Sequence, residues 1–314
     1  MSVDKGIEII LKTCLAAKPG ERVLIVTDTA KKDIGQALFE KAIQLDLEAM
    51  MLVMKPTGVP GREPPEAVAE AMKKCDVVLC PTQDSLTHTQ ARKAACDSGA
   101  RIATMPGITE DMFSKGALTA DYREVAVLSD RVTELLNQAE TVRIEKEGKS
   151  LTMSIKGRQG ISSRGLYHQP GSSGNLPTGE AYIAPVEGTA EGEIIIDGSI
   201  ANIGILKAPL HVNVEKGLAV NFKGPDGVRL ENILGPNKSA RNIGELGIGT
   251  NLMARLIGNI LEDEKVYGTV HIAFGSNATF GGLTQAGIHI DGIILRPSLY
   301  LDEKLVVENG KILL

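Results

Sequence analysis

The sequence has no tryptophan and only five phenylalanines and five tyrosines. So few aromatic faces leave little on which nucleic-acid bases could stack. The net charge of −5, with no block of lysine and arginine, supplies no phosphate-binding stripe, so a nucleic-acid partner is not expected. No apolar run approaches the roughly 18 residues needed to cross a bilayer. The start of the chain carries Asp4, Lys5, Glu8 and Lys12 among its apolar positions, without the long apolar stretch and small-residue cleavage site of an export signal. The expectation is a soluble, cytoplasmic protein with no membrane partner. Cysteine is scarce as well. Cys14, Cys75, Cys80 and Cys96 show no CxxC spacing, which suits reduced thiols in a core better than a disulfide framework or a zinc knuckle. The fingerprints GxGxxG, GxSxG and HExxH are all missing. The turn after the first apolar run reads Asp28-Thr29-Ala30, so no nucleotide is expected there, and covalent acyl transfer has no serine elbow to support it.

What is present is an ordinary globular composition, 43% apolar and 23% charged, over 314 residues, a length that favours two domains. Residues 7–17 set Ile7, Ile10, Leu11, Cys14 and Leu15 on one helical face before Pro19-Gly20 ends the pattern. The apolar run at 22–28, an amphipathic helix at 33–45 and a second run at 49–53 then make a βαβ unit. Helix 65–74, strand 76–80, helix 87–98 and strand 101–104 continue the alternation, and a last helix is expected at 123–138. This pattern predicts an α/β N-terminal domain over residues 1–139, built on a doubly wound parallel sheet. Most of the 34 glycines fall after residue 148. There the text changes to short alternating strands, at 142–144, 151–155, 193–196, 218–222 and 270–274, with one long helix at 246–261. A mainly β (α+β), metal-binding domain over residues 140–314 is the reading. Segment 158–179, rich in Gly, Ser and Pro, is expected to be a functional loop leading into Glu180.

Three short segments gather metal-capable side chains: residues 175–180 ending in Glu180, residues 244–251 around Glu245, and His271 with the pair His289 and Asp291. His289 and Asp291 are two apart, so on a strand they project from one face and meet a cation together. With His271 from a neighbouring strand, and Glu180 and Glu245 from loop and helix starts, they form a mixed nitrogen and oxygen set. Such a set can hold two divalent ions that share a water of lowered pKa. Amide hydrolysis is the natural outcome, with Glu180 and Glu245 at the reacting centre. Taken singly, each position also has a structural reading. His271 suits a hydrogen-bonded core histidine, His289 and Asp291 a structural pair, and Glu245 an acid in the first turn of a helix. His168, in the Gly-rich loop, is the extra candidate for orienting substrate or shuttling a proton, against the plain alternative of an exposed loop histidine.

The same segments resemble the aminopeptidase T family of metallopeptidases, which includes aminopeptidase S and aminopeptidase II. The family's ordered motifs Asn-x-Pro-x-Gly-Glu, Glu-Leu-x-x-Gly-Thr-Asn, Gly-Thr-x-His-x-Ala-x-Gly and His-x-Asp stand here at residues 175–180, 245–251, 268–275 and 289–291. The resemblance implies that Glu180, Glu245, His271, His289 and Asp291 are the ligands of two metal ions, with Glu245 as the bridge. It also implies zinc or cobalt and a homodimer. One departure is plain: the family's catalytic tyrosine, seven residues beyond the motif histidine, is Ala278 here. Loss of that phenol should weaken peptide hydrolysis unless Asn277, Thr279 or His168 supplies another donor. A second class resembles these enzymes, the 2,5-dihydroxypyridine dioxygenases, in which one Fe(II) opens a ring. For that class His271, His289 and Asp291 would form a two-histidine, one-carboxylate triad. Because a single iron needs neither Glu180 nor Glu245, the expectation is a hydrolase with two Zn, Co or Mn ions, acting on a peptide or other small amide. The Fe(II) dioxygenase is the alternative.

Overall fold

The computed structural model describes residues 2–314 and divides the chain into two compact units. One comprises the chain up to Glu124 together with Gly165–Thr178, and the other Val125–Arg164 together with Gly179–Leu314. The expected class holds: the first unit carries a parallel sheet with helices, and the second is mainly antiparallel β. Among the described residues no helix is long and apolar enough to cross a membrane. The four cysteines are free, with Cys14, Cys75 and Cys80 buried.

In the first unit the strands lie in the order Glu48–Met54, Arg22–Asp28, Val77–Cys80, Arg101–Thr104, Ser173–Asn175, and all the pairings are parallel. Val77–Cys80 and Arg101–Thr104 are buried at every residue, and Arg22–Asp28 at all but its first. Continuous apolar runs of this kind are what a sheet covered on both faces requires. From Arg22–Asp28 the chain crosses first to one neighbour and then back past itself to the other. With right-handed crossovers, the intervening helices therefore fall on opposite faces of the sheet. The last strand, Ser-Gly-Asn, has none of the β-branched or aromatic residues that mark a strand, so the sequence pattern leaves it inside a loop. Its backbone nevertheless completes the sheet, and residues 165–178 thereby join the first unit although the sequence boundary puts them in the second.

The second unit holds two antiparallel sheets. The larger runs Leu218–Lys223, Leu210–Glu215, Glu191–Ile196, Lys149–Ser154, Thr141–Lys146, Ser298–Leu301, Lys304–Glu308, Lys311–Ile312. The other runs Gly204–Ile205, Ser199–Ile200, His289–Ile294, Val270–Gly275, Ile243–Gly249, Glu180–Ile183, Ile161–Ser163. Ile194, Ile196, Leu210 and Val212 from the first sheet share one apolar cluster with Leu246, Ile248, Ile272 and Phe274 from the second. That shared core fixes which face of each strand points inward.

The long helix expected at 246–261 is not there. Residues Ile243–Gly249 form a central strand, and only Ile260–Asp263 is α-helical in that span. Gly244, Gly247 and Gly249 disfavour a helix, while Leu246 and Ile248 alternate into the core at the period of a strand. Glu245 accordingly sits within a strand, not at a helix start, and Glu180 opens a strand of its own.

Candidate metal centre

Alternation along the strands of the seven-stranded sheet builds the centre. Val270, Ile272 and Phe274 enter the core, so His271 and Ala273 take the other face. Likewise Ile290 and Ile294 turn inward, and His289 and Asp291 turn out with His271. Register then sets Glu245, Ala273 and Asp291 side by side across three strands, and Gly247 beside His271. Glycine at 247 is a steric requirement: a Cβ there would lie 1.9 Å from His271 Nε2. The imidazole occupies the space that a side chain at 247 would take.

His271 Nε2 is 3.4 Å from Glu245 Oε1 and 3.5 Å from Glu180 Oε2. His289 Nε2 is 3.4 Å from Glu245 Oε2 and 3.3 Å from Asp291 Oδ1. These separations exceed ordinary hydrogen-bond lengths. Both nitrogens of His271, Glu180 Oε2 and Asp291 Oδ1 are buried without a hydrogen-bond partner. His289 is held differently, with Nδ1 2.8 Å from the Ser276 carbonyl oxygen, and the Phe280 ring packs edge-on to it at 5.8 Å. Phe280 also meets Tyr182 edge-on at 5.6 Å.

Charge is as crowded as the geometry. Burial pushes the His271 imidazole pKa down, but the carboxylates of Glu245 and Glu180, with Glu264 behind them, hold it up at about 9. His289 is carried well above its ordinary value by Asp291 and Glu245 against the same burial. For Glu245, burial is outweighed by the two imidazoles, which hold its carboxyl at about 2. A site that draws positive charge this strongly, and leaves oxygen and nitrogen donors unpaired, fits a divalent metal ion. The donors form two groups that share His271: Glu245, His271 and Asp291, and Glu180, Glu264 and His271, each within 4.8 Å.

The structure thus brings together the five residues proposed as ligands, Glu180, Glu245, His271, His289 and Asp291. His168 belongs to the first unit, where it is exposed with Nε2 2.7 Å from the Thr13 carbonyl oxygen. Two neighbours of the centre escaped the sequence reading. Glu264 and Lys265 end the run Glu262-Asp263-Glu264-Lys265, a pattern that normally marks a solvated face. Instead Glu262, Asp263 and Lys265 are buried, and Lys265 Nζ lies 2.6 Å from Glu180 Oε1 and touches Glu264 Oε1. Burial, with the charges of Glu180 and Asp291, drives the Glu264 pKa up to about 8 against the pull of Lys265. The Thr250-Asn251 end of the second motif stitches these pieces together. Thr250 N donates to Gly179 O at 2.9 Å, and Asn251 N donates to Lys265 O at 2.9 Å.

Comparison with known proteins decides which frame this centre belongs to. The family model NicX, 2,5-dihydroxypyridine 5,6-dioxygenase, matches residues 7–314. The 2,5-dihydroxypyridine 5,6-dioxygenase of Pseudomonas putida KT2440 is 22% identical over 269 residues, covering 78% of this chain and 73% of that one. Among solved structures, 2,5-dihydroxypyridine dioxygenase from Pseudomonas putida KT2440 superposes with a TM-score of 0.83 at 17% identity, covering 99% and 96% of the two chains. Wild-type AmpT from Thermus thermophilus superposes with a TM-score of 0.71 at 15% identity, covering 99% of each. The expectation of an aminopeptidase-like hydrolase, or metalloprotease, is therefore corrected. The match along nearly the whole chain is to dioxygenases, and the likeness to AmpT is one of fold. The physical reason is that buried carboxylates and imidazoles mark a place for a cation without specifying the reaction. The residue that would have specified hydrolysis, the tyrosine, is Ala278 at the head of the short turn Ala278–Phe280.

Proposed function

The chain belongs to the NicX, 2,5-dihydroxypyridine 5,6-dioxygenase family, and from that premise we propose that it is a ring-cleaving dioxygenase using one Fe(II). The substrate is a small hydroxylated aromatic ring of the dihydroxypyridine type. The observation that carries this reading is the family match over residues 7–314, and the convergence of His271 Nε2, His289 Nε2 and the Asp291 carboxylate, with unpaired donor atoms, on one face of the sheet supplies the place for the ion. His271, His289 and Asp291 would hold the ion, and Glu245, with one oxygen toward each Nε2, would add a fourth donor. Held there, an Fe(II) ion would supply the redox chemistry that a reaction between an aromatic ring and dioxygen requires.

The chain's own residues do the positioning. The contact of His289 Nδ1 with the Ser276 carbonyl assigns the proton to Nδ1, which leaves the Nε2 lone pair for the ion. Ala273, buried between Glu245 and Asp291 in register, keeps the floor of the site free of any competing polar group. Phe280, edge-on to both His289 and Tyr182, offers an apolar wall against which a flat ring can lie.

The test is oxygen uptake. Protein loaded anaerobically with Fe(II) and mixed with 2,5-dihydroxypyridine and air-saturated buffer should consume one O2 for each ring lost, followed by electrode and by ring absorbance. Fully loaded protein that leaves both oxygen and ring absorbance unchanged would contradict the proposal.

A further inference from the structure

Lys265 is 0% exposed, and an ammonium in that position is costly unless its charge is matched. Its Nζ lies 2.6 Å from Glu180 Oε1 and against Glu264 Oε1. These two carboxylates are the ones that form the second donor group with His271. We infer that Lys265 is a built-in cation occupying the second metal position, so that the centre accepts one divalent ion where its carboxylates alone could accept two. The inference rests on the single-iron reading of the centre and explains why Glu180, which one iron does not need, is present.

The charges support the assignment. Glu180, Glu245, Glu264 and Asp291 bring four carboxylates to one buried face. Two divalent ions would balance four ionised carboxylates with no lysine present. With an ammonium fixed among them, a second divalent ion would place surplus positive charge in a low-dielectric interior, where it is poorly screened. One oxygen of Glu180 and one of Glu264 are already committed to Lys265, so a second ion would meet an ammonium between the two carboxylates and find only their remaining oxygens. The root of the Lys265 side chain is fixed beside these carboxylates by its backbone: its N–H donates to Glu262 O at 3.0 Å, and its carbonyl accepts from Asn251 N at 2.9 Å. Glu264 and Lys265 thus complete an ion pair with Glu180, and the second donor group is left as a positioning element beside His271.

The experiment counts ions with Zn(II), which needs neither oxygen nor substrate. Metal-stripped protein is saturated with Zn(II) and passed through a desalting column, and tightly held metal per chain is measured by elemental analysis. Wild type should hold one ion, K265R one, and K265M two; K265M/E180Q should return to one. Circular dichroism shows whether each variant is folded, and K265Q replaces K265M should the latter not fold. Two ions in wild type, or one ion in a folded K265M or K265Q, would overturn the inference. Because the count is independent of oxygen chemistry, either result stands apart from the oxygen-uptake test of the dioxygenase reading.

Discussion

The two units treat their buried polar groups in opposite ways. In the first, Asp28 is wholly buried and fully used: Oδ1 accepts from Ala30 N at 2.9 Å and Lys31 N at 3.0 Å, and Oδ2 accepts from Gln83 N. Arg101 in the same unit donates to the Leu15 and Ala16 carbonyls and pairs with Glu21. In the second unit, Glu180 Oε2, Asp291 Oδ1 and both His271 nitrogens have no hydrogen-bond partner, and all belong to one cluster. Native interiors rarely leave such groups unpaired. Folding alone accounts for Asp28 and Arg101, whereas the unpaired atoms of His271, Glu180 and Asp291 are donors that the fold itself leaves unused.

Substitutions can break that contrast or sharpen it. The largest effect is expected at the centre. D291A or H271A should lose retained iron and oxygen uptake by more than the roughly 10- to 100-fold that outer-shell changes cost. The same variants in metal-free form should also lose about 1–3 kcal/mol of stability, because D291A strips the His289 imidazole of the carboxylate that favours its charged form and H271A leaves a buried void. Elemental analysis and thermal melts check both halves. G247A comes next. A Cβ placed 1.9 Å from His271 Nε2 must push the ring aside, costing about 1–3 kcal/mol in stability along with metal retention, measured by denaturant titration. D28A should behave as the mirror image of D291A. It strands the N–H donors of Ala30 and Gln83, while Lys31 N keeps the Asp28 carbonyl, and costs about 1–3 kcal/mol, yet leaves metal content unchanged. The smallest effect belongs to F280A, where loss of the aromatic wall proposed to face the ring, a contact worth about 0.5–1.5 kcal/mol, should raise KM for the ring several-fold while metal content holds.

How much of this was legible in the sequence depended on the kind of signal. The parallel sheet was readable because Val23–Val26, Val77–Cys80 and Ile102–Ala103 stand as apolar runs between amphipathic helices. Ser173–Asn175 was not, because it is a strand by backbone pairing alone. The five acid and imidazole positions could be found from ordered motifs, since those motifs carry both the donors and the glycines that make room for them. Ile243–Gly249 was misread as the start of a helix because Leu246 and Ile248, followed by more apolar residues, fit either period over so short a span. Glu264 and Lys265 gave no warning, since a charged run reads as surface and only the pairing with Glu180 shows otherwise. The reaction class was hardest. Hydrolase and oxygenase can share a donor set, and acids and histidines in ordered motifs announce a place for a cation without announcing the reaction.

Isotopically labelled dioxygen tests the central claim most directly. Iron-loaded protein turning over 2,5-dihydroxypyridine under labelled O2 in unlabelled water should yield a ring-opened product carrying both labelled oxygen atoms, read by mass spectrometry immediately after mixing. A product whose new oxygen atoms come only from water would contradict the account.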